Sequence, residues 1–225
     1  MYKEDFMKKC IIFGALKINT EAFDININEN DIVIAADKGL ETLKELNIKP
    51  DYIIGDFDSL GYIPDGNNII KHPKIKDDTD TMLCIKTALN MGYKFFEIYG
   101  CIGGRLDHTI ANIQSASFIA ENNGVSVFFD NENKTALTVI KNNSISFSSD
   151  CKGNISVFSV CDKSVGINEN GLLYELSDAV LTSDFPLGVS NEFLGKSSSI
   201  SVEKGKICII WDNKKGSFNF GGNYE

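Results

Sequence analysis

The sequence predicts an N-terminal α/β domain with an open, mostly parallel sheet, followed by a C-terminal all-β antiparallel sandwich domain. Short apolar runs alternate with helical patterns as far as residue 129, which is typical of parallel strands joined by helices. A polar stretch with turn-forming residues follows at 130–134. Beyond it, short alternating segments separated by turns indicate antiparallel strands. We therefore place the predicted domains at residues 1–133 and 134–225.

The predicted strands of the first domain are apolar and rich in β-branched residues, as expected for a sheet covered on both faces. They lie at 10–15, 31–36, 52–54, 68–70, 95–99 and 125–129. A helix is predicted at 40–48, where leucines recur with helical spacing, and Pro50 ends it. Two more helices are predicted, one at 79–91 with Gly92 as its C-cap and one at 108–121.

The second domain is predicted to consist of short strands only. They lie at 136–140, 144–147, 155–160, 172–176, 199–202 and 207–211. Turn-forming residues such as Asn and Gly separate them at 142–143, 168–171 and 204–205. This spacing suits an antiparallel sandwich or a flattened barrel.

The composition excludes several classes of function. With 43% hydrophobic and 24% charged residues the chain is an ordinary globular protein, and its net charge of −9 disfavours nucleic acid and anionic membranes as partners. The six cysteines form no Cys-x-x-Cys pair and mostly lie in apolar runs, which favours reduced, buried thiols over disulfides or a zinc site. Glu4 and Asp5 stand where a signal peptide needs positive charge, and no apolar stretch approaches the ~20 residues of a membrane helix. We expect a cytoplasmic protein, whether it starts at Met1 or at Met7.

Asp56 and Asp58 follow the third predicted strand, at the sheet edge where open α/β proteins bind ligands. Side chains two residues apart in a strand point to opposite faces, but we expect Gly55 to let the backbone turn so that both carboxylates face one ion. Mg²⁺ takes oxygen ligands and is usually held by one or two carboxylates with substrate phosphates. Taken alone, the pair is explained better by a polar turn with an Asx cap.

A second acidic group, Asp77 and Asp80, is predicted at the start of the second helix. Because the two are three residues apart, we expect them to share one helix face, with Thr79 or Asp78 as the N-cap. An acidic first turn favoured by the helix dipole explains one such group. Two groups at one crevice would repel each other without a cation, so together they favour a metal site.

A glycine-rich segment at 100–107 follows the fifth predicted strand. Its glycines let the backbone approach phosphate closely, and the planar guanidinium of Arg105 matches phosphate oxygens. Neither a Walker A motif nor Gly-x-Gly-x-x-Gly is present, so neither standard phosphate loop is available. His108, next to Asp107 at a helix start, is either a base or a structural histidine.

Five motifs, in this order and spacing, resemble bacterial thiamine pyrophosphokinase. They are Ala-Asp-Lys-Gly at 36–39, Gly-Asp-Phe-Asp-Ser at 55–59, Lys-Asp-Asp-Thr-Asp at 76–80, Gly-Gly-Arg-Leu-Asp-His through Ala-Asn at 103–112, and Gly-Val-Ser-Asn-Glu-Phe at 188–193. Each motif is weak alone, whereas five in register over residues 36–193 are specific. Lys38 departs from the pattern, which has a second glycine there.

The resemblance implies that the first domain binds ATP and that the second domain helps to bind thiamine. It also implies a homodimer with thiamine between the subunits. Ser190, Asn191 and Phe193 would then bind thiamine and serve the ATP site of the partner. Their residue types suit this task, because an aromatic face stacks on a flat ring while hydroxyl and amide groups pair with ring nitrogens. The alternative is a Gly-Val-Ser-Asn turn that leads into a strand with Phe193 in the core.

The resemblance also assigns roles to single residues. The catalytic set that it implies is Asp56, Asp58, Asp77, Asp80, Arg105 and Asp107. The nucleotide pocket that it implies contains Asp37, Gly39, Ser59, Lys76, Thr79, Arg105, His108 and Asn112. Asp56, Asp58 and Asp80 would bind Mg²⁺, and Arg105 and Asp107 would orient the phosphates or the metal. The implied reaction is attack of the primary hydroxyl of thiamine on the β-phosphorus of ATP, with one aspartate accepting the proton and AMP leaving.

Two alternatives stay open. A phosphatase of the haloacid-dehalogenase type also carries Asp-x-Asp after a strand, but here Asp56 follows the third strand rather than the first, and Ser59 is off that pattern. A thiamine or nucleotide sensor would keep the pocket without turnover. Sensors commonly lose a metal ligand, whereas all four aspartates are present in this chain.

Overall fold

The computed structural model describes residues 8–58, 60–64, 68–73 and 77–222. In these ranges fifteen strands form two sheets, and three α-helices pack on the first sheet. The strands are β1 (Lys9–Phe13), β2 (Ile32–Ala36), β3 (Tyr52–Gly55), β4 (Ile69–Lys71), β5 (Phe95–Ile102), β6 (Val125–Asp130), β7 (Thr135–Lys141), β8 (Ser144–Phe147), β9 (Asn154–Ser159), β10 (Lys163–Asn170), β11 (Leu176–Thr182), β12 (Gly188–Glu192), β13 (Ser198–Ser201), β14 (Lys206–Asp212) and β15 (Phe218–Phe220). The helices are α1 (Gly39–Glu45), α2 (Asp80–Asn90) and α3 (Leu106–Glu121), and a short 3-10 helix spans Thr20–Ala22.

Six parallel strands of the first sheet run in the order β4–β3–β2–β1–β5–β6. They are apolar because helices cover both of their faces. Leu40 and Leu43 of α1 pack on one face, while Ile85 of α2 and Ile119 of α3 pack on the other. The strand order reverses at β1, since β2 to β4 lie on one side of it and β5 and β6 on the other.

The same sheet continues beyond β6 with antiparallel strands in the order β7–β14–β9–β12. A second sheet, with the order β11–β10–β13–β8–β15, packs against these strands. Ile155, Val157 and Ile209 from the first sheet meet Phe147 and Ile167 from the second in one buried core. The predicted fold class, a parallel α/β part followed by an antiparallel sandwich, is confirmed.

The predicted elements are mostly confirmed, with one strand wrong and four missed. All three helices lie within a few residues of their predicted positions. The strand predicted at 172–176 is wrong, because residues 172–175 connect β10 to β11; Leu172 is buried in the core, whereas Leu173 and Tyr174 are exposed. The missed strands are β10, β11, β12 and β15, whose polar and small residues interrupt the apolar alternation.

All six cysteines are free thiols and five of them are buried, as the sequence predicted. Burial raises the pKa of Cys10 and Cys84 well above the usual value and that of Cys208 to about 12. These thiols therefore act as small buried side chains rather than as nucleophiles. In the described ranges no helix is both long enough and apolar enough to cross a membrane.

Candidate active site

A cavity of about 400 Å³ lies at the carboxyl ends of β1 and β5, where the strand order reverses. Open α/β sheets bind ligands at this position because the loops of the two strands diverge there. The predicted site residues that line it are Asp37, Thr79, Asp80, Arg105, His108 and Asn112. The predicted glycine-rich segment contributes Gly100, Cys101 and Gly104, whereas the sequence did not predict Ala15 and Leu16, which follow β1. Their part in the site depends on the pairing of β1 with β5, which no local pattern reveals.

A larger cavity of about 860 Å³ lies beside α1 and β3. Leu40, Lys44, Ile53 and Tyr62 are among its walls, and no predicted site residue of the described ranges lines it. The smaller cavity differs in its position at the carboxyl ends of the parallel strands and in the predicted site residues that line it. We therefore take the smaller cavity as the candidate active site.

Asp37 and Gly39 form the turn from β2 into α1. Asp37 is buried at a positive φ of 48°, and its backbone N–H donates a hydrogen bond to the carbonyl oxygen of Ile54 at 2.9 Å. Gly39 packs so closely on β1 that a Cβ there would lie 1.9 Å from the carbonyl oxygen of Phe13. Gly39 therefore sets the position of α1, and it does not line the cavity.

Asp56 and Asp58 follow β3 at the same edge of the sheet. The chain turns at Phe57, which is buried at a φ of 64°, and Gly55 is the last residue of β3. The prediction that Gly55 makes the turn is therefore wrong. The turn is made by Phe57, whose side chain is buried in the core. The N–H of Asp58 donates to Asp56 Oδ1 at 3.0 Å, which is the Asx-type turn that the sequence allowed. Asp56 is half-buried and Asp58 is exposed.

The acidic residues before α2 do not share a helix face. Thr79 is the N-cap, and its side chain accepts a hydrogen bond from the N–H of Met82 at 3.1 Å. Asp80 is the first helical residue, whereas Asp77 precedes the helix, so the predicted common face is wrong. Asp78 accepts hydrogen bonds from Lys86 Nζ at 2.7 Å through both carboxylate oxygens. Asp78 therefore links the residues before α2 to the helix itself.

Arg105 and Asp107 form an exposed pair at the mouth of the cavity. Arg105 directly precedes α3, and its Nε and Nη2 atoms donate to the two oxygens of Asp107, at 3.1 Å for Nε. Asp107 Oδ1 also accepts the N–H of His108 at 3.0 Å. The hydrogen bonds from Arg105 lower the pKa of Asp107 below its usual value. The guanidinium group of Arg105 is therefore already oriented for two parallel hydrogen bonds, and the Asp107 carboxylate occupies the position where an anion would bind.

Asn112 joins α3 to the end of β5. Its side chain is buried, and Nδ2 donates to the carbonyl oxygen of Cys101 at 2.6 Å. This bond fixes one wall of the cavity. Of the other predicted site residues, Ser59 and Lys76 lie outside the described ranges.

The acidic residues suit Mg²⁺ by their chemistry. Carboxylate oxygens are hard donors, and Mg²⁺ is usually held by one or two of them together with substrate phosphates. Asp56, Asp58 and Asp80 offer such oxygens at the carboxyl edge of the parallel strands. Within the described ranges, no three acidic, histidine or cysteine side chains form a cluster that would hold a metal by themselves. The donor set thus fits a metal that is shared with a phosphate ligand.

The 188–193 motif lies on β12, the outer strand of the ten-stranded sheet. The pairing of β12 with β9 shifts register between Gly188 and Asn191. Ser190 lies at this shift, is exposed, and has a positive φ of 62°. Its N–H donates to Ser156 Oγ at 3.1 Å. The structure thus presents Ser190 at the surface.

Asn191 and Phe193 are instead directed into the sandwich, with 4% and 9% of their surfaces exposed. The ring of Phe193 packs edge-on against Phe147 at 5.2 Å between centroids. The side-chain amide of Asn191 makes hydrogen bonds within the chain through both its oxygen and its nitrogen. Both residues have structural roles here, and their direct contact with thiamine stays a prediction.

An apolar surface surrounds β12, and we call it the β12 surface. Its residues, each between 40% and 66% exposed, are Leu173, Tyr174, Phe185, Leu187, Val189 and Leu194. The N–H of Leu173 donates to the carbonyl oxygen of Glu192 at 3.0 Å, which holds the β10–β11 connection beside β12. Exposed apolar patches of this kind mark interaction sites in soluble proteins.

Two family models match the chain, one for each part of the fold. Residues 23–129 match the model described as thiamin pyrophosphokinase, catalytic domain, and residues 142–207 match the thiamin pyrophosphokinase vitamin B1 binding domain. Thiamine pyrophosphokinase of Bacillus subtilis (strain 168) is 27% identical over 190 residues, which cover 81% of this chain and 88% of that protein.

Solved structures of similar proteins share the fold. A thiamine pyrophosphokinase from Bacillus subtilis has a TM-score of 0.77 at 24% identity and covers 92% of this chain and 100% of its own. One from Geobacillus thermodenitrificans has a TM-score of 0.74 at 22% identity, covering 92% and 98%. One from Candida albicans has a TM-score of 0.71 at 17% identity, covering 91% and 89%.

Proposed function

The chain belongs to the thiamine pyrophosphokinase family, and on that premise we propose that it transfers the pyrophosphoryl group of ATP to the hydroxyl of thiamine and releases AMP. Family membership makes the chain an enzyme that forms thiamine diphosphate by pyrophosphoryl transfer. The observation that carries the finer proposal is the cavity between β1 and β5, where Asp80, Arg105 and Asn112 converge.

We place ATP in this cavity. Its volume of about 400 Å³ lies in the usual range for small-molecule sites, about 300–1,000 Å³. Asp37 and Asn112 are buried on its wall, where they can contact the nucleoside, and Arg105 stands at its mouth. We expect a phosphate oxygen pair to displace Asp107 from Arg105, because phosphate matches the planar fork and carries more charge.

Asp56, Asp58 and Asp80 would hold Mg²⁺ together with the phosphates of ATP. When bound, Mg²⁺ neutralises the charge that builds up on the phosphate oxygens during transfer. Arg105, which also lines the cavity, would supply further positive charge, and one of the aspartates would accept the proton of the thiamine hydroxyl. The protein thus acts mainly by positioning and by neutralising charge.

We propose that two copies of the chain associate through the β12 surface, with thiamine bound near Ser190. The support is the apolar character of that surface and the exposure of Ser190 within it. A symmetric dimer buries the same patch of both copies. Each Ser190 would then serve the ATP cavity of the partner. The positive thiazolium ring of thiamine suits a chain with a net charge of −9.

The two proposed substrate sites correspond to the two parts of the fold. Residues 1–133 would bind ATP and carry the chemistry, and residues 134–225 would help to bind thiamine. The proposed boundary falls in the turn between β6 and β7. We also propose a cytoplasmic location, which the six free thiols favour because reducing compartments maintain them.

The test is a product analysis with ATP labelled at either the β- or the γ-phosphorus. The protein is incubated with thiamine, MgCl₂ and each labelled ATP, and the products are separated. We expect both labels in thiamine diphosphate and one AMP for each molecule formed. Thiamine monophosphate with equal ADP would contradict the proposal, because it would mean attack on the γ-phosphorus.

A further inference from the structure

Glu169 is a fully buried acidic residue between the two sheets of the sandwich. It lies on β10 in the five-stranded sheet and has 0% of its surface exposed. Burying a carboxyl group is unfavourable unless hydrogen bonds compensate for the lost water. Its Oε2 atom accepts a hydrogen bond from Asn191 Nδ2 at 2.8 Å, while Oε1 has no hydrogen-bond partner within the described ranges. The one side-chain bond of Glu169 therefore leads to the 188–193 motif.

Asn191 connects this bond to two backbone segments. Its Nδ2 also donates to the carbonyl oxygen of Tyr174 at 2.6 Å. Its Oδ1 accepts the N–H groups of Tyr174 and Glu192, both at 2.9 Å. The two donor and two acceptor positions of the amide are thus all in use. Asn191 holds the β10–β11 connection against β12, and Glu169 holds Asn191 from the opposite sheet.

Gly188 brings the other end of β12 close to Glu169. A Cβ at Gly188 would lie 2.6 Å from the carbonyl oxygen of Val157 and 3.4 Å from Glu169 Oε1. Only glycine lets β12 begin so close to β9, and at this position the chain lies within ordinary contact of the buried carboxyl group. Glu169 therefore lies close to Gly188 and bonds to Asn191. These two residues flank the exposed residues 189–190, which we call the Ser190 segment.

We propose that Glu169 is a positioning residue for thiamine recognition, because its hydrogen bond to Asn191 fixes the conformation of the Ser190 segment. The inference rests on the proposed function, in which this segment receives thiamine. What this role requires is an oxygen atom that can accept the hydrogen bond from Asn191 at the length of a glutamate side chain. It does not require the negative charge. Glu169→Gln keeps the acceptor at the same reach, whereas Glu169→Asp keeps the charge and shortens the reach.

The test compares these two variants by steady-state kinetics with thiamine and ATP varied separately. Glu169→Asp should raise the KM for thiamine about fivefold to tenfold, as expected for one lost hydrogen bond, with kcat and the KM for ATP within about twofold of the wild type. Glu169→Gln should keep the KM for thiamine within about twofold. In Glu169→Asp the amide protons of Tyr174 and Glu192 should also exchange faster with solvent, because their shared acceptor is released.

Ile167→Ala is the matched control, since Ile167 is fully buried two residues earlier on β10 and takes no part in the hydrogen bonds of the Asn191 side chain. It should lower the melting temperature without changing the KM for thiamine. An equal rise of that KM in Ile167→Ala and Glu169→Asp would overturn the inference, because the effect would then be general loosening of the sandwich. A rise in Glu169→Gln without one in Glu169→Asp would overturn it too, because charge would then matter.

A third variant separates this inference from the proposed function. Ser190→Ala removes the exposed hydroxyl itself. If Ser190→Ala raises the KM for thiamine but Glu169→Asp does not, the thiamine site stands and the role of Glu169 is wrong. If neither variant changes it, thiamine does not bind at this segment, and both proposals fail there.

Discussion

At the scale of single residues, the acidic residues of the three motifs after β3, before α2 and at the start of α3 differ in the bonds that they already make. Asp78 accepts hydrogen bonds from Lys86 through both carboxylate oxygens, and Asp107 accepts hydrogen bonds from Arg105 through both of its oxygens. Asp56 accepts one backbone N–H through Oδ1 in a turn outside the helices. Asp56 thus lies in a turn at the carboxyl edge of the parallel strands, a position from which we expect it to share a metal with phosphate, whereas Asp78 is committed to Lys86.

We expect Asp56→Asn and Asp58→Asn to lower kcat at least about 100-fold while the protein stays folded, because each change removes a negative ligand of Mg²⁺. Their melting temperatures should equal or exceed that of the wild type, since like charges are removed from one edge. Turnover is measured at saturating MgCl₂. Asp78→Asn is the control and should keep near-normal turnover. Near-normal rates in both Asp56→Asn and Asp58→Asn would show that the metal assignment is wrong.

Glu169 also makes stability depend on pH. Burial raises its pKa from the usual value of 4.5 to about 7. Between these values the native protein binds a proton that the unfolded chain does not, so this carboxyl group lowers stability as the pH rises. Glu169→Gln removes that dependence. Its free energy of unfolding relative to wild type should therefore increase by about 2–3 kcal/mol from about pH 5 to about pH 8, measured by urea denaturation. A difference that is constant with pH would contradict the buried state of Glu169.

At the scale of elements, α2 and α3 both begin at the cavity, but their first turns differ. The Thr79 side chain caps α2, whereas α3 starts after Arg105 with no side-chain cap bond. The Arg105 side chain does not cap the backbone of α3 and is held instead by the Asp107 carboxylate, which we expect phosphate to displace, whereas the Thr79 side chain is used by the backbone of α2. Thr79 therefore combines a structural task with its place on the cavity wall.

We expect Thr79→Ala to lower the free energy of unfolding by about 1 kcal/mol, which is the usual value of an N-cap bond. Thr79→Ser keeps a hydroxyl oxygen for the Met82 N–H and should restore most of that loss. Equilibrium denaturation of the three proteins gives the comparison. Equal stability of Thr79→Ala and the wild type would mean that the cap bond contributes nothing in solution.

The elements show which features a single sequence predicts. Helices and buried strands were predicted because their signals are local, namely leucine spacing, Pro50 and apolar runs. Of the aspartates that the motifs assign to the site, Asp37 and Asp80 line the cavity at the carboxyl edge of the sheet, and the catalytic roles of all of them stay predictions. The burial of Phe193 matches the structural alternative for its motif. The turn at Phe57 and the burial of Asn191 were not predicted, because both depend on contacts between distant segments.

At the scale of the whole molecule, the proposed dimer gives the β12 surface its role. We expect the double variant Phe185→Glu, Leu187→Glu to be monomeric in light scattering and to lose most of its turnover, because buried charges oppose association. Ile63→Glu is the control, since Ile63 is 57% exposed on the β3–β4 connection. A double variant that stays dimeric would place the interface elsewhere.

The continuous ten-stranded sheet has a consequence for dividing the protein. β6 bonds to β7 and β7 bonds to β14 in one ladder, so no natural seam separates the two parts of the fold. If residues 1–133 and 134–225 were separated, β6 and β7 would each have a row of unpaired backbone N–H and C=O groups. Such bare edges recruit strands from other molecules. Residues 1–133 expressed alone should therefore self-associate and precipitate, whereas co-expression with residues 134–225 should yield a soluble pair that co-purifies.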